Sequence, residues 1–350
     1  MKKSFDIDGI SVGLNHPPYV IAEMSANHNG SLENAMTLVR HAKLAGASAV
    51  KMQTYTPETM TLDCEDAQFR IEGGIWHGRK LFDLYREAHT PWSWHGPLFE
   101  YAQKIGITIF SSPFDSTAVD FLEDLNVPAY KIASFEAVDL ALIRYVAGTR
   151  KPMIISTGMA SLDEIAEAIE AAHDGGCKDV AILRCVSGYP APASDYNLRT
   201  LPDMASRFGL VTGLSDHTLD NSTAIAAVAL GASIIEKHFT LDRNGGGPDD
   251  SFSLEPDELL SLCQSTRSAW QALGKVDYGH KSSERDNVKF RRSLYFVKDL
   301  KQGDVITPDV VRSIRPGFGL APRELDNLIG RTAVTDIRRG TPTSFHLVDH

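Results

Sequence analysis

Eight short runs of apolar and β-branched residues recur along the chain, with segments of helical spacing between them. They read YVIAEMS (19–25), AVKMQTY (49–55), TIFSSPF (108–114), AYKIAS (129–134), MIISTGM (153–159), VAILRCVS (180–187), VTGLSDH (211–217) and ASIIEKHF (232–239). Strand–helix alternation implies parallel strands, because a parallel neighbour is reached only through a crossover. Eight such units closing on themselves form an α/β fold of the (β/α)8 TIM-barrel type. An open doubly wound sheet is the alternative, but no GxGxxG follows the first run. The intervening segments carry their own punctuation. Ser31 and Ser161 stand at N-cap positions, with Glu164 three residues after Ser161, and helices stop at Gly46, Gly175–Gly176 and Gly231.

Two places break the rhythm. Residues 56–91, with IEGGIWHGRKLFDLYREAHTP inside, separate the second run from its helix. An excursion of that length on the rim of a barrel is expected to serve function. After EPDELLSLCQSTRSAWQALG the pattern changes. The reading is a barrel domain over 1–274, a polar linker over 275–290 and a small β-rich domain over 291–350. The last part holds an internal echo, VKDLKQG (297–303) and VTDIRRG (334–340), which suits two similar strand–turn units. A unit that small is expected to need a docking surface.

The formal net charge of −10 argues against a polyanion surface, so no nucleic-acid partner is expected. No run is long and apolar enough to span a bilayer. The start, MKKSFDIDGISVG, lacks the apolar core of a signal peptide. Cys64, Cys177, Cys185 and Cys263 are scattered and form no CxxC, which reads as reduced thiols in a cytoplasmic protein.

In a barrel the active site lies at the C-terminal ends of the strands. Here every run delivers polar groups to that rim: Glu23; Lys51 and Gln53; Ser111 and Ser112; Lys131, Ser134 and then Glu136; Ser156 and Thr157; Ser187 and Tyr189; Ser215, Asp216 and His217; Glu236, Lys237 and His238. Residues two apart on a strand share a face, so Glu236 and His238 point together and Lys237 points toward the helix layer, as a paired or snorkelling lysine. Glu236 is either a reacting acid or an ion-pair partner inside the barrel. His217 and His238 end consecutive strands. Two imidazoles there can converge on one divalent cation and leave room for water and substrate oxygens, which suits Mn2+, Mg2+ or Co2+ better than closed structural zinc; the alternative is a pair of core histidines. Lys51 and Lys131, with Ser112, Ser134, Ser156 and Ser215, make a cradle for phosphate or carboxylate. The alternatives are lysines that only balance Glu23 and Glu136, or a Schiff-base lysine with a depressed pKa. After the eighth run, GGGPDDSFSLEP (245–256) offers Asp249 to a sugar hydroxyl or a metal's water, and Asp250 reads as a solvated acidic turn. In the tail, IRPGFGLAP (314–322) presents Arg315 on a Gly/Pro-framed loop.

The segments IAEMSANHNGSLENA, VKMQTY, SSPFD, PAYKIASFE, ISTGM, GLSDHT, IEKHFTLD and GPDDSFSLEP together resemble the sialic acid synthase family. The tail resembles the antifreeze-like (SAF) domain that ends those enzymes. Within the family, EMSANHNGSLE, KMQTYTPETMTL, the 73–95 stretch and RPGFGLAP are most similar to the branch that makes pseudaminic acid. N-acetylneuraminate synthases usually carry an asparagine where Ser187 stands and GPDH where this chain has GPDD. The first difference bears on one phosphoenolpyruvate contact, and the second points to another sugar.

The resemblance implies roles residue by residue. Lys51, Lys131, Ser112, Ser134, Ser156, Ser187 and Ser215 would hold phosphoenolpyruvate. His217 and His238 would bind the metal. Gln53, Glu136, Tyr189, Asp249 and Arg315 would contact the sugar, Arg315 from the partner subunit of a domain-swapped homodimer. Glu23 and Glu236 are the acid/base candidates, with no choice between them. The implied reaction adds phosphoenolpyruvate to an amino-sugar aldehyde with C–O cleavage. The implied sugar is 2,4-diacetamido-2,4,6-trideoxy-altrose, with N-acetylneuraminate or legionaminate synthesis as nearer alternatives and a lysine Schiff-base aldolase as the more distant one. The implied sugar lacks a 6-hydroxyl, so an apolar wall is expected, built from the GIWHGRK insertion around Trp76.

Overall fold

The computed structural model describes residues 4–349, so Lys2 and Lys3 of the leader reading lie outside the described residues. The chain divides after Gly274 into two units.

The first unit opens with an antiparallel hairpin, β1 (Ser4–Ile7) and β2 (Ile10–Gly13). Eight parallel strands follow: β3 (Tyr19–Glu23), β4 (Ala49–Thr54), β5 (Thr108–Pro113), β6 (Tyr130–Ile132), β7 (Met153–Ser156), β8 (Val180–Cys185), β9 (Val211–Asp216) and β10 (Ile234–His238). They close into a barrel in chain order, with β10 pairing back to β3. Each of the eight runs read from the sequence is one of these strands.

The two-residue period of a strand sorts the side chains. On the inner face Tyr19, Ile21, Ala49, Phe110, Ile154, Ala181, Leu183, Val211 and Ile234 form one apolar cluster, joined by Phe5, Ile7 and Val12 of the hairpin. That cluster seals the N-terminal end of the barrel. The outer face packs against the helices through two larger clusters, one containing Val50, Met52, Leu214 and Ile235, the other Tyr130, Ile132, Ile155 and Ile182. The helices begin and end where their caps dictate. Ser31 accepts a hydrogen bond from Asn34 N at 3.2 Å ahead of the helix Leu32–Ala45, which ends at Gly46 with φ 86°. Ser161 and Glu164 form a reciprocal capping box on the helix Leu162–Asp174. Each such cap is worth about 1 kcal/mol.

The long insertion after β4 is ordered. It contains a helical turn (Pro57–Met60), a 3-10 turn (Ala67–Phe69), an antiparallel bridge between Arg70 and Lys80, and the helix Leu81–Ala88. Among the described residues no helix is long and apolar enough to cross a membrane.

The second unit starts at Lys275. The stretch expected as a linker through residue 290 contains 3-10 turns over Ser282–Phe290, begun by the Glu284 carboxylate accepting from Lys281 N at 2.8 Å. Beyond it β11 (Ser293–Phe296) pairs antiparallel with β12 (Val311–Ile314). The sequence echo is a structural pair. Leu300 and Ile337 exchange backbone hydrogen bonds at 2.8 and 2.9 Å. Asp299 accepts from Arg339 N, and Asp336 accepts from Gln302 N, so each repeat uses its aspartate to hold the other's turn. Leu294, Phe296, Ile306, Leu328 and Ile337 are among the residues of this unit's core.

Candidate active site

Toward the C-terminal ends of the strands the inward face changes from apolar to ionic. Tyr19 and Ile21 give way to Glu23, Ala49 to Lys51 and Gln53, Phe110 to Ser112, Ile154 to Ser156, Leu183 to Cys185, and Ile234 to Glu236 and His238. All of these ionic and polar groups except Ser112, which accepts from Lys51 Nζ behind the lining, border one cavity of about 400 Å3. A barrel already sealed by hydrocarbon gives them no core to stabilise, and burying them is costly unless they pair.

They pair closely. Lys51 Nζ lies 2.8 Å from Glu23 Oε2, 3.6 Å from Glu236 Oε1 and 3.2 Å from Ser112 Oγ. Lys131 Nζ lies 3.4 Å from the same Glu236 oxygen. Ser215 donates to it at 3.3 Å. Glu236 is therefore an ion-pair partner inside the barrel, shared by two lysines. Gln53 donates to Glu23 Oε1 and to Ser25 Oγ, both at 3.0 Å, and Ser25 donates to Asp249 Oδ2 at 2.5 Å. Ser134 and Ser187 share a hydrogen bond of 2.8 Å.

The electrostatics separate similar residues. Burial pushes both carboxylates up. Lys131 and Lys51 bring Glu236 below the usual range, whereas Glu23, facing Lys51 and repelled by Glu236, stays raised. Burial pulls both ammoniums down. Glu23 and Glu236 return Lys51 above its ordinary value, while Lys131, opposed by Glu236 alone at close range and repelled by Lys51, remains depressed. Lys131 is thus the more readily deprotonated of the two lysines. Glu136, which also lines the cavity, is raised by burial to about 7.

The two histidines converge. Their ring centroids are 5.5 Å apart, with Tyr189 4.4 Å from His217 and 6.0 Å from His238. Burial holds His217 at about 4 and His238 well below its ordinary value, so both rings are neutral at pH 7. His217 Nδ1 is 2.7 Å from the Val186 carbonyl, which accepts only if that nitrogen carries the proton. The lone pair of His217 is then on Nε2. His217, fixed in this way, and His238, whose Nδ1 is buried without a hydrogen-bond partner among the described residues, together suit a divalent cation. No group of three His, Cys, Asp or Glu able to hold a metal occurs among the described residues, so the remaining ligands would be substrate and solvent oxygens.

Lys237 points outward, as the strand period requires. Its ammonium is 1% exposed, lies 2.7 Å from Asp216 and also donates to the carbonyls of Thr218 and Asp220. It is a paired lysine that ties the end of β9 to the following loop.

Asp250 corrects its sequence reading. It is 1% exposed rather than solvated, because the loop after β10 folds back on Asn29 and Thr240. Ser25, Tyr55, Tyr85, Phe114 and Cys185 also line the cavity and were not singled out from the sequence. The insertion supplies Met60, Ile71, Trp76, Leu81, Leu84 and Tyr85 as an apolar wall. Trp76 Nε1 donates to the Pro248 carbonyl at 2.9 Å and its ring is 5.6 Å from Tyr189. Arg315 is exposed on the second unit, just after β12.

The NeuB family signature matches residues 38–278 and the SAF domain signature residues 291–346. A pseudaminic acid synthase of Campylobacter jejuni is 44% identical over 92% of this chain and 94% of its own length. A pseudaminic acid synthase of Helicobacter pylori is 41% identical over 94% and 97%. The crystal structure of an N-acetylneuraminic acid (sialic acid) synthetase from Leptospira borgpetersenii superposes with a TM-score of 0.73 at 31% identity, covering 83% of this chain and 96% of that one.

Proposed function

The chain belongs to the NeuB family and carries a SAF domain, and from that premise we propose that it is a phosphoenolpyruvate-dependent transferase that makes pseudaminic acid. The substrates are phosphoenolpyruvate and 2,4-diacetamido-2,4,6-trideoxy-β-L-altropyranose, in its open aldehyde form. The relatives from Campylobacter jejuni and Helicobacter pylori support the choice of sugar. The observation that carries the reaction is a single cavity joining a floor of two lysines, held by Glu23 and Glu236, to an apolar wall.

The floor fits an anion. Lys51 and Lys131 bring two ammoniums to one carboxylate oxygen of Glu236, and Ser112 and Ser215 bond into the same set. Ser156 Oγ is buried there without a hydrogen-bond partner among the described residues, and its hydroxyl can donate to an anion. Unsatisfied buried polar groups call for a ligand. Phosphoenolpyruvate brings the carboxylate and phosphate that turn both lysines toward substrate. The sugar lies on the Gln53, Glu136, Tyr189 and Asp249 side, under Trp76.

In the reaction C3 of phosphoenolpyruvate bonds to the aldehyde carbon, a water oxygen adds to C2, and the C2–O bond breaks to release phosphate. The water gives up both its protons, one taken by the aldehyde oxygen and one leaving with phosphate, and its oxygen stays as the keto oxygen of a 2-keto acid. A divalent cation on His217 and His238 would act as a Lewis acid toward the aldehyde oxygen. The lysines and serines hold the anion in reach, which is positioning and electrostatic work. Glu23, raised and set against Lys51, is suited to move a proton at the site; Glu236, lowered between two lysines, is suited to stay ionised. A cytoplasmic domain-swapped homodimer, with Arg315 serving the other protomer's sugar, belongs to the same reading. Arg315→Ala mixed with a barrel-inactivated partner tests the exchange, since activity would return only from subunits that share sites.

Phosphoenolpyruvate labelled with 18O at the bridging oxygen tests the bond cleaved. The label leaves with phosphate under this mechanism; label kept by the organic product would contradict it.

A further inference from the structure

Two adjacent aspartates after β10 face opposite ways, and only one lines the cavity. Asp249 does so and accepts from Ser25 Oγ. Asp250 is buried behind the loop. Its Oδ2 accepts from Asn29 Nδ2 at 2.9 Å and from Gly247 N at 2.8 Å, and its Oδ1 accepts from Thr240 Oγ1. Three donors on one buried carboxylate fix its place.

The glycines before it show how tightly the loop is drawn against that carboxylate. A Cβ at Gly247 would stand 1.9 Å from Asn29 Oδ1 and 2.9 Å from Asp250 Oδ2. A Cβ at Gly245 would stand 2.6 Å from Asp250 Oδ2. The space is too small for any other side chain, and the loop backbone lies directly on the Asn29–Asp250 pair.

Ser25 and Asn29 belong to one loop, the turn after β3, and Asp249 and Asp250 to another. The two loops are joined twice, by Ser25–Asp249 on the cavity side and by Asn29–Asp250 on the buried side. Between them Pro248 offers its carbonyl to Trp76. We infer that Asp250 is a positioning residue for the sugar half of the site: its carboxylate latches the glycine loop to Asn29, and so presents Asp249 and the Trp76–Pro248 contact to the sugar. Asp250 bonds to none of Lys51, Lys131 or Ser156, and the path from the loop to Lys51 runs through Asp249, Ser25, Gln53 and Glu23 in turn, so its loss is expected to reach the sugar half first.

The inference rests on the proposed reaction, and steady-state kinetics with each substrate varied separately tests it. Asp250→Asn removes the charge and turns one acceptor into an NH2 group, facing either Thr240 Oγ1 or the Asn29 and Gly247 donors, and Gly247→Ala forces the loop off Asn29. Each is expected to raise KM for the sugar about tenfold, the size of losing a charged hydrogen bond, with KM for phosphoenolpyruvate within twofold of wild type. Thr240→Val, which removes the hydroxyl shared between Asp250 Oδ1 and the Asp242 carbonyl and leaves the other two donors on Asp250, carries the same test more gently, with a rise of about threefold in the sugar KM alone. Unchanged sugar KM in Gly247→Ala and Thr240→Val overturns the latch, as does a parallel rise in both KM values, which marks general loosening. Wild-type enzyme that releases no phosphate with both substrates present would overturn the reaction assignment, and the latch with it.

Discussion

Lys131 Nζ stands 3.4 Å from Glu236 Oε1, with side-chain exposures of 2% and 7%. The same oxygen faces Lys51 at 3.6 Å, so one carboxylate restrains two ammoniums until an anionic substrate arrives. Lys131→Met keeps the volume and removes one charge. Its KM for phosphoenolpyruvate is expected to rise at least tenfold, since a hydrogen bond to a charged group is worth about 1.5–3 kcal/mol. Kinetics with each substrate varied in turn reads the effect, and an unchanged phosphoenolpyruvate KM would remove Lys131 from the cradle. Borohydride with pyruvate separates this role from imine chemistry. No reduced adduct is expected, and a stable mass increase on Lys131 would favour the aldolase.

His238→Ala is expected to abolish turnover, and His217→Ala to reduce it severely, because each removes one of two nitrogen donors. Wild-type enzyme stripped of divalent ions with a chelator is expected to lose activity and to regain it with Mn2+, Mg2+ or Co2+. Full turnover by the stripped enzyme would sink the Lewis-acid role.

The Trp76→Ala variant opens the apolar wall beside Tyr189 and frees the Pro248 carbonyl. It is expected to weaken use of the 6-deoxy diacetamido sugar and narrow its advantage over N-acetylmannosamine. A selectivity ratio equal to wild type would show that the wall does not read the sugar.

Away from the site, His95 is fully buried, 2.8 Å from Thr54 Oγ1 through Nε2, and burial holds it at about 4. The unfolded chain takes up this proton below pH 6.5, and the folded chain refuses it until about pH 4. Stability from this residue is complete above pH 6.5 and falls through that window, by about 3 kcal/mol at its foot. Glu136, raised to about 7, works in the opposite sense, since its folded form holds a proton the unfolded chain has lost. Urea denaturation from pH 7 to 4 should therefore give a flatter loss on acidification for His95→Gln than for wild type and a steeper one for Glu136→Gln. Parallel curves would contradict both assignments.

What could be read from the sequence follows a local rule. The strand period alone placed Glu236 and His238 inward and Lys237 outward, because alternate side chains must face opposite ways. The inner apolar layer and its ionic cap were legible for the same reason. Asp250 was not, because its burial depends on Asn29, a partner 221 positions away on another loop. Ser25 escaped notice likewise: its bonds to Gln53 and Asp249 join three separate rim segments. The length of residues 56–91 signalled function, but the apolar wall they make depends on where Met60, Ile71 and Leu84 land around the cavity, which no short-range pattern encodes.

The most direct measurement is the mass of the product formed from phosphoenolpyruvate with three sugars offered separately: the 2,4-diacetamido-2,4,6-trideoxy-altrose, the legionaminate precursor and N-acetylmannosamine. The altrose sugar is expected to give a nine-carbon 2-keto acid with one phosphate released per product, well ahead of the other two. Preferential conversion of N-acetylmannosamine, or no condensation product with any of them, would contradict the account.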